Sequence, residues 1–138
     1  MESFPPRQVF SVAYVAAVFA VVRSPPPATV LTYGDVAELL ENGGARQVGR
    51  ARSMSTPGTP GWRVLRAGGR PPRGLELRAR PHYDAEGTPL LPTADPDPMV
   101  YRVDLRSARW SPSSVDQLRF ARLGAVLRGE ADPTDAQP

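Results

Sequence analysis

TYGDVAELLENGGARQVGRARSMSTPGTPGWR, residues Thr32 to Arg63, decides how the rest of the chain is read. Thr32 stands where a hydroxyl can cap a helix over Tyr33–Glu41, and Asp35 follows at the spacing of a near capping box. Val36, Leu39 and Leu40 give that helix an apolar side. Asn42-Gly43-Gly44 supplies a tight turn. A second helix is expected over Ala45–Ser53, with Val48 and Ala51 on one side and Arg46, Arg50 and Ser53 on the other. Two short helices about a glycine turn, the second basic on its outer face, form a helix-turn-helix signature. Other helical pairs share that pattern, so alone it is not specific. Behind it runs a Pro/Gly-rich loop ending in Trp62-Arg63.

Composition narrows the class. A chain of 138 residues with 41% apolar and 22% charged residues fits one globular domain. All 17 basic residues are arginine. A GC-rich genome produces such a bias, so position informs more than number. Between Gly44 and Arg80 lie nine arginines and one acid, Glu76, whereas the remainder holds eight arginines and thirteen acids. A segregated basic middle points to a polyanion partner, with a solvated surface paired to the acidic segments as the alternative. The chain has no cysteine, hence no disulfide, thiolate zinc site or thiol nucleophile. With one histidine, His82, neither a histidine metal site nor a Ser-His-Asp triad is expected, and His82 is assigned no role. No metal and no cofactor are expected.

Outward from the core stretch, residues 1–8 read as a loose arm. Val9–Arg23 reads as a helix with Phe10, Tyr14, Val18 and Val21 on its buried face, stopped by Pro25-Pro26-Pro27. Its apolar run falls short of the about 20 residues that span a bilayer, so no membrane association is expected and the location is taken as cytoplasmic. Trp62–Arg66 reads as a short extended segment, followed by a turn at Ala67-Gly68-Gly69. Leu75–Arg80 reads as extended, leading to a short helical turn around His82–Glu86, and Tyr101–Leu105 alternates like a strand. A final helix, capped by Ser111 or Ser114, runs to Arg128 with Phe120, Leu123 and Leu127 as its apolar side, and residues 129–138 read as a disordered tail.

Four segments then fall into one order and spacing: Phe19-Ala20-Val21-Val22-Arg23, Thr32-Tyr33-Gly34-Asp35-Val36-Ala37, Ala45-Arg46-Gln47-Val48-Gly49-Arg50-Ala51 and Pro60-Gly61-Trp62-Arg63-Val64. Together they resemble the DNA-binding domain of the O6-alkylguanine-DNA methyltransferase family. Ala85–Leu90 and Val103–Arg106 through Trp110 look like its small alkyltransferase-like members. The resemblance covers about residues 10–110, which divides the chain into an arm (1–8), a DNA-binding domain (9–110), an extra C-terminal helix (111–128) and the tail.

The resemblance implies a mostly α fold with a small wing, a winged helix-turn-helix that binds duplex DNA through the minor groove and turns a nucleotide out. Arg46 would fill the gap in the base stack and Tyr33 would push on the backbone phosphate. The alternatives are an exposed helix arginine and a half-buried aromatic steadying the helix start. DNA contacts are expected from Thr32, Tyr33, Arg46, Gln47, Gly49, Arg50 and Ser53, with Arg52 a further phosphate or groove contact. Tyr33, Gly61, Trp62 and Arg73 would line a lesion pocket, Trp62 having plain core packing as its alternative. Gly61 falls where the family's P-C-H-R motif has its cysteine and Trp62 where it has histidine, which removes the thiolate that accepts an alkyl group. The expected function is therefore non-enzymatic recognition of O6-alkylguanine by a monomer, cytoplasmic and nucleoid-associated, that directs nucleotide excision repair to the site. A winged-helix regulator that binds DNA without lesion recognition, or a protein-interaction module on the same fold, are the rivals.

Overall fold

The computed structural model describes residues 11–54 and 58–130. The expected arm, Phe10 and most of the expected tail lie outside them. Helix α1 (Val12–Val22) begins at Ser11, whose hydroxyl accepts from the Tyr14 amide. Strand β1 (Leu31–Thr32) leads directly into α2 (Tyr33–Leu40). At that junction the Asp35 amide donates to the Thr32 hydroxyl at 3.1 Å and the Thr32 amide donates to the Asp35 carboxylate at 2.9 Å, a full capping box. The turn after α2 needs left-handed backbone at Glu41 (φ 52°) and Gly43 (φ 73°), and the second is where glycine removes the strain. Helix α3 (Ala45–Arg52) follows.

Trp62 and Arg63, expected to be extended, lie in a 3₁₀ turn over Gly61–Arg63 that feeds strand β2 (Val64–Leu65). β1 and β2 pair in parallel, Leu31 opposite Val64 and Thr32 opposite Leu65. This is how the two ends of the opening stretch meet.

The segment expected to be extended over Leu75–Arg80 is instead the first half of a continuous helix, α4 (Glu76–Glu86), with Pro81 inside it. A proline in a helix interior costs about 3 kcal/mol. Tertiary anchoring outweighs it: Glu76, Ala79 and Tyr83, at i, i+3 and i+7, are buried. The Tyr83 hydroxyl donates to the Trp62 carbonyl at 2.6 Å, and the Tyr101 hydroxyl to the Glu76 carbonyl at 2.7 Å. Tyr101–Leu105 supplies one antiparallel bridge, Leu90 with Val103, before a short helix α5 (Leu105–Ala108). The last helix, α6 (Ser114–Leu127), is capped by Ser113, which lies between the two serines expected.

Two cores result. The larger joins α1, α2, α3 and α6 through Tyr14, Val18, Val21, Val36, Leu40, Val48 and Phe120. The smaller gathers Val30, Leu65, Ala79, Tyr83, Tyr101 and Val103. Helix α6 docks on α1 and α2. Gly124 faces the Leu40 carbonyl so closely that a Cβ there would overlap its oxygen. A glycine in mid-helix is thus the condition for that approach. The chain is mostly helical with a small two-stranded sheet. No helix among the described residues is long and apolar enough to cross a membrane.

Candidate nucleic-acid interface

The outer surface of α3 carries the basic residues. Gly44 starts the helix, its amide donating to the Gln47 side-chain carbonyl at 3.0 Å. Arg46, Gln47, Arg50 and Ser53 are exposed. The Ser53 hydroxyl donates to the Arg50 carbonyl and closes the helix end. Tyr33, in the first turn of α2, lies half-buried across Gly49, where an added Cβ would come within 3.2 Å of the ring. Gly49 therefore lets α3 sit against the tyrosine face. Burial raises the Tyr33 phenol above its ordinary range, and the charges of Arg52 and Arg66 oppose that rise.

Tyr33, Arg46, Gly49, Arg50, Ser53 and Arg73 line one open depression of about 450 Å³, with Arg52 and Arg66 in its wall. Five arginines and no carboxylate border it. Such a surface concentrates positive potential where a phosphate backbone can be held. Thr32 is not on it: the side chain is buried (8% exposed) and its hydroxyl serves the α2 cap.

The expected lesion pocket is divided. Gly61 and Trp62 line a separate cavity of about 170 Å³ with Arg78 and His82, while Tyr33 and Arg73 belong to the larger depression. Arg52 and Pro72 line both. Arg52 is thus no surface contact as the sequence suggested; it is 7% exposed. The helix explains this. Val48, Ala51 and Arg52, at i, i+3 and i+4, form the inward side of α3. Gly61 completes the fit, because a Cβ there would stand 2.5 Å from the Arg52 Nη2.

Trp62 is held on three sides. Its indole N–H donates to Glu86 Oε2 at 2.8 Å, its ring stacks on His82 with centroids 3.6 Å apart, and the Arg63 guanidinium lies 5.5 Å from its centroid. The His82 stack was not legible in the sequence, where the histidine stands twenty residues away with no motif around it. Arg63 ties the loop as its chemistry suggests, pairing with Glu86 at 2.7 Å and donating to the Pro25 carbonyl at 3.1 Å. Among the described residues there is no group of three His, Asp or Glu side chains able to hold a metal ion. What this surface can do chemically is bind: it offers guanidinium donors, two aromatic faces and no thiol.

Two solved structures share the fold over 75% of this chain and the whole of theirs. One is S. pombe Atl1 in complex with damaged DNA containing O6-carboxymethylguanine (25% identity, TM-score 0.64). The other is S. pombe ATL in complex with DNA (26% identity, TM-score 0.63). No curated protein matches the sequence significantly. Residues 13–82, from early in α1 to His82 in α4, match the family described as 6-O-methylguanine DNA methyltransferase, DNA binding domain. With half its length matched and that fold around a helix pair whose second member is basic, the chain belongs to the O6-methylguanine-DNA methyltransferase family and resembles its alkyltransferase-like DNA-binding proteins.

Proposed function

We propose that this protein is a non-enzymatic sensor of O6-alkylguanine in duplex DNA. It enters the minor groove with α3, presses Tyr33 on a phosphate and fills the vacated base position with Arg46. The flipped lesion marks the site for nucleotide excision repair. The observation that carries the reading is the depression in which Tyr33, Arg46, Arg50 and Arg73 converge without a carboxylate among its lining residues. Extruding a base costs a few kcal/mol, and an exposed guanidinium at the first turn of a helix can recover part of that by stacking and hydrogen bonding in the gap. Alkyl transfer has no acceptor, since the sequence holds no cysteine and Gly61 stands at the motif position the thiol would occupy. The S. pombe relatives, crystallised with DNA, support the same reading.

The test compares identical duplexes with guanine or O6-methylguanine at one position, at fixed salt. The lesion duplex is expected to bind more tightly, and Arg46→Ala to weaken it by about tenfold or more. A fluorescent base analogue opposite the lesion should brighten on binding if the nucleotide leaves the stack. Equal affinity for both duplexes would leave a DNA-binding protein without lesion recognition.

A further inference from the structure

Arg52 is a buried cation, 7% exposed, that has no ion-pair partner among the described residues. Its Nε makes no hydrogen bond, and no other hydrogen bond among the described residues involves the side chain. No carboxylate among them pairs with it. Tyr33 and Tyr83 feel its charge, yet burial pushes both phenols up and keeps them neutral. A guanidinium does not lose its proton in a protein, so it cannot escape the penalty by neutralising. Buried charges are ordinarily paired, because leaving one unpaired forfeits its hydration without return.

The position of the group says what it can meet. Arg52 lines the 170 Å³ cavity whose other walls include Gly61, Trp62 and His82, with a second arginine, Arg78, and no carboxylate. It also reaches the wall of the depression where Tyr33 and Arg46 converge. A Cβ at 61 would stand 2.5 Å from its Nη2, so the glycine lets the guanidinium rest where it does. A base turned out past Tyr33 would bring its O6 substituent toward this guanidinium. A neutral alkyl group arriving there would desolvate the cation further and offer nothing in return. A carboxylate would pair with it, and Arg forks match carboxylates with two parallel hydrogen bonds.

We propose that Arg52 makes this protein selective for O6-guanine adducts that carry a carboxylate, the O6-carboxymethyl class, over neutral adducts of the same shape. The proposal rests on the lesion-sensor reading above, and its test separates the two. Three duplexes are compared at one salt concentration, differing at one base: guanine, O6-carboxymethylguanine, and O6-carbamoylmethylguanine, the uncharged amide of equal size. Wild-type protein is expected to bind the acid about tenfold or more tightly than the amide. In Arg52→Met, which keeps the side chain's bulk without its charge, that ratio should fall to near one. Equal affinity for acid and amide, both above guanine, overturns the selectivity and leaves the sensor reading standing. A preference for the acid that persists in folded Arg52→Met overturns the assignment to Arg52. Neither adduct exceeding guanine overturns the sensor reading, and this proposal with it. The wild-type comparison needs no variant, so it decides even where Arg52→Met does not fold.

Discussion

Replacing Glu86 with alanine tests whether one carboxylate fastens the loop that carries Trp62 to the rest of the fold. Glu86 closes α4 with its side chain only 12% exposed, and its partner Arg63 is 15% exposed. It accepts from the Ala28 amide at 3.0 Å, the Trp62 indole at 2.8 Å and the Arg63 Nη2 at 2.7 Å. Alanine would leave a nearly buried guanidinium without its counter-charge and two N–H groups without acceptors. Breaking a buried pair costs about 3–5 kcal/mol, and the lower end applies because Arg63 keeps the Pro25 carbonyl. With a urea slope of about 1.5 kcal/mol per molar, the unfolding midpoint should fall by about 2 M. Tryptophan fluorescence reports this directly, since Trp62 sits on the affected loop. The charge is tested by pH. Burial pushes the Glu86 carboxyl up, but hydrogen bonds from Arg63, Ala28 and Trp62 together outweigh it and hold the group below its ordinary 4.5. A depressed folded value means the stabilisation is complete above the unfolded value and is lost as pH falls through the folded one. The gap between wild type and Glu86→Gln should therefore narrow only in that acid window. A midpoint shift under about 0.5 M for the alanine variant, or a gap that does not change down to low pH, would refute the reasoning.

Two further outcomes follow from the packing. Gly124→Ala should lower the melting temperature by several degrees, since overpacking of about 1–3 kcal/mol separates α6 from the Leu40 carbonyl; unchanged melting would mean α6 is not docked so closely. Thr32→Ala should cost about 1 kcal/mol in urea unfolding through loss of the α2 cap, with Thr32→Ser retaining most of it; equal stability of all three would deny the cap its role.

Local rules carried most of what the sequence revealed. Thr32 with Asp35, the turn at Gly43 and the basic outer side of α3 each depend on residues within one or two turns of each other, so spacing alone exposes them. Misreadings arose where distant residues decide. Leu75–Arg80 read as extended, whereas α4 runs through Pro81 with Tyr83 hydrogen-bonded to the Trp62 carbonyl and Tyr101 to the Glu76 carbonyl. Arg52 looked like one more arginine on a basic helix; its spacing from Val48 already puts it on the inward side, and what only the fold shows is that Gly61 lies against its guanidinium. The division of the expected pocket into two has the same origin. Tyr33 and Arg73 meet Arg46 on one side of Arg52, and Gly61 and Trp62 meet His82 on the other.

Residues 52 and 61 are therefore one feature and not two. On the resemblance drawn from the sequence, Gly61 would stand where the related motif has its reactive side chain. In three dimensions that space is not vacant, because a guanidinium lies against the glycine where any Cβ would collide with it. A side chain at 61 would force Arg52 toward the depression shared by Tyr33 and Arg46, or toward Trp62 and His82. Conversely, shortening Arg52 would open a cavity beneath the loop. The missing side chain at 61 and the buried guanidinium of Arg52 thus fit each other sterically. On the lesion-sensor reading proposed above, with a basic depression on one side of Arg52 and an aromatic, cationic cavity on the other, discrimination would come from charge.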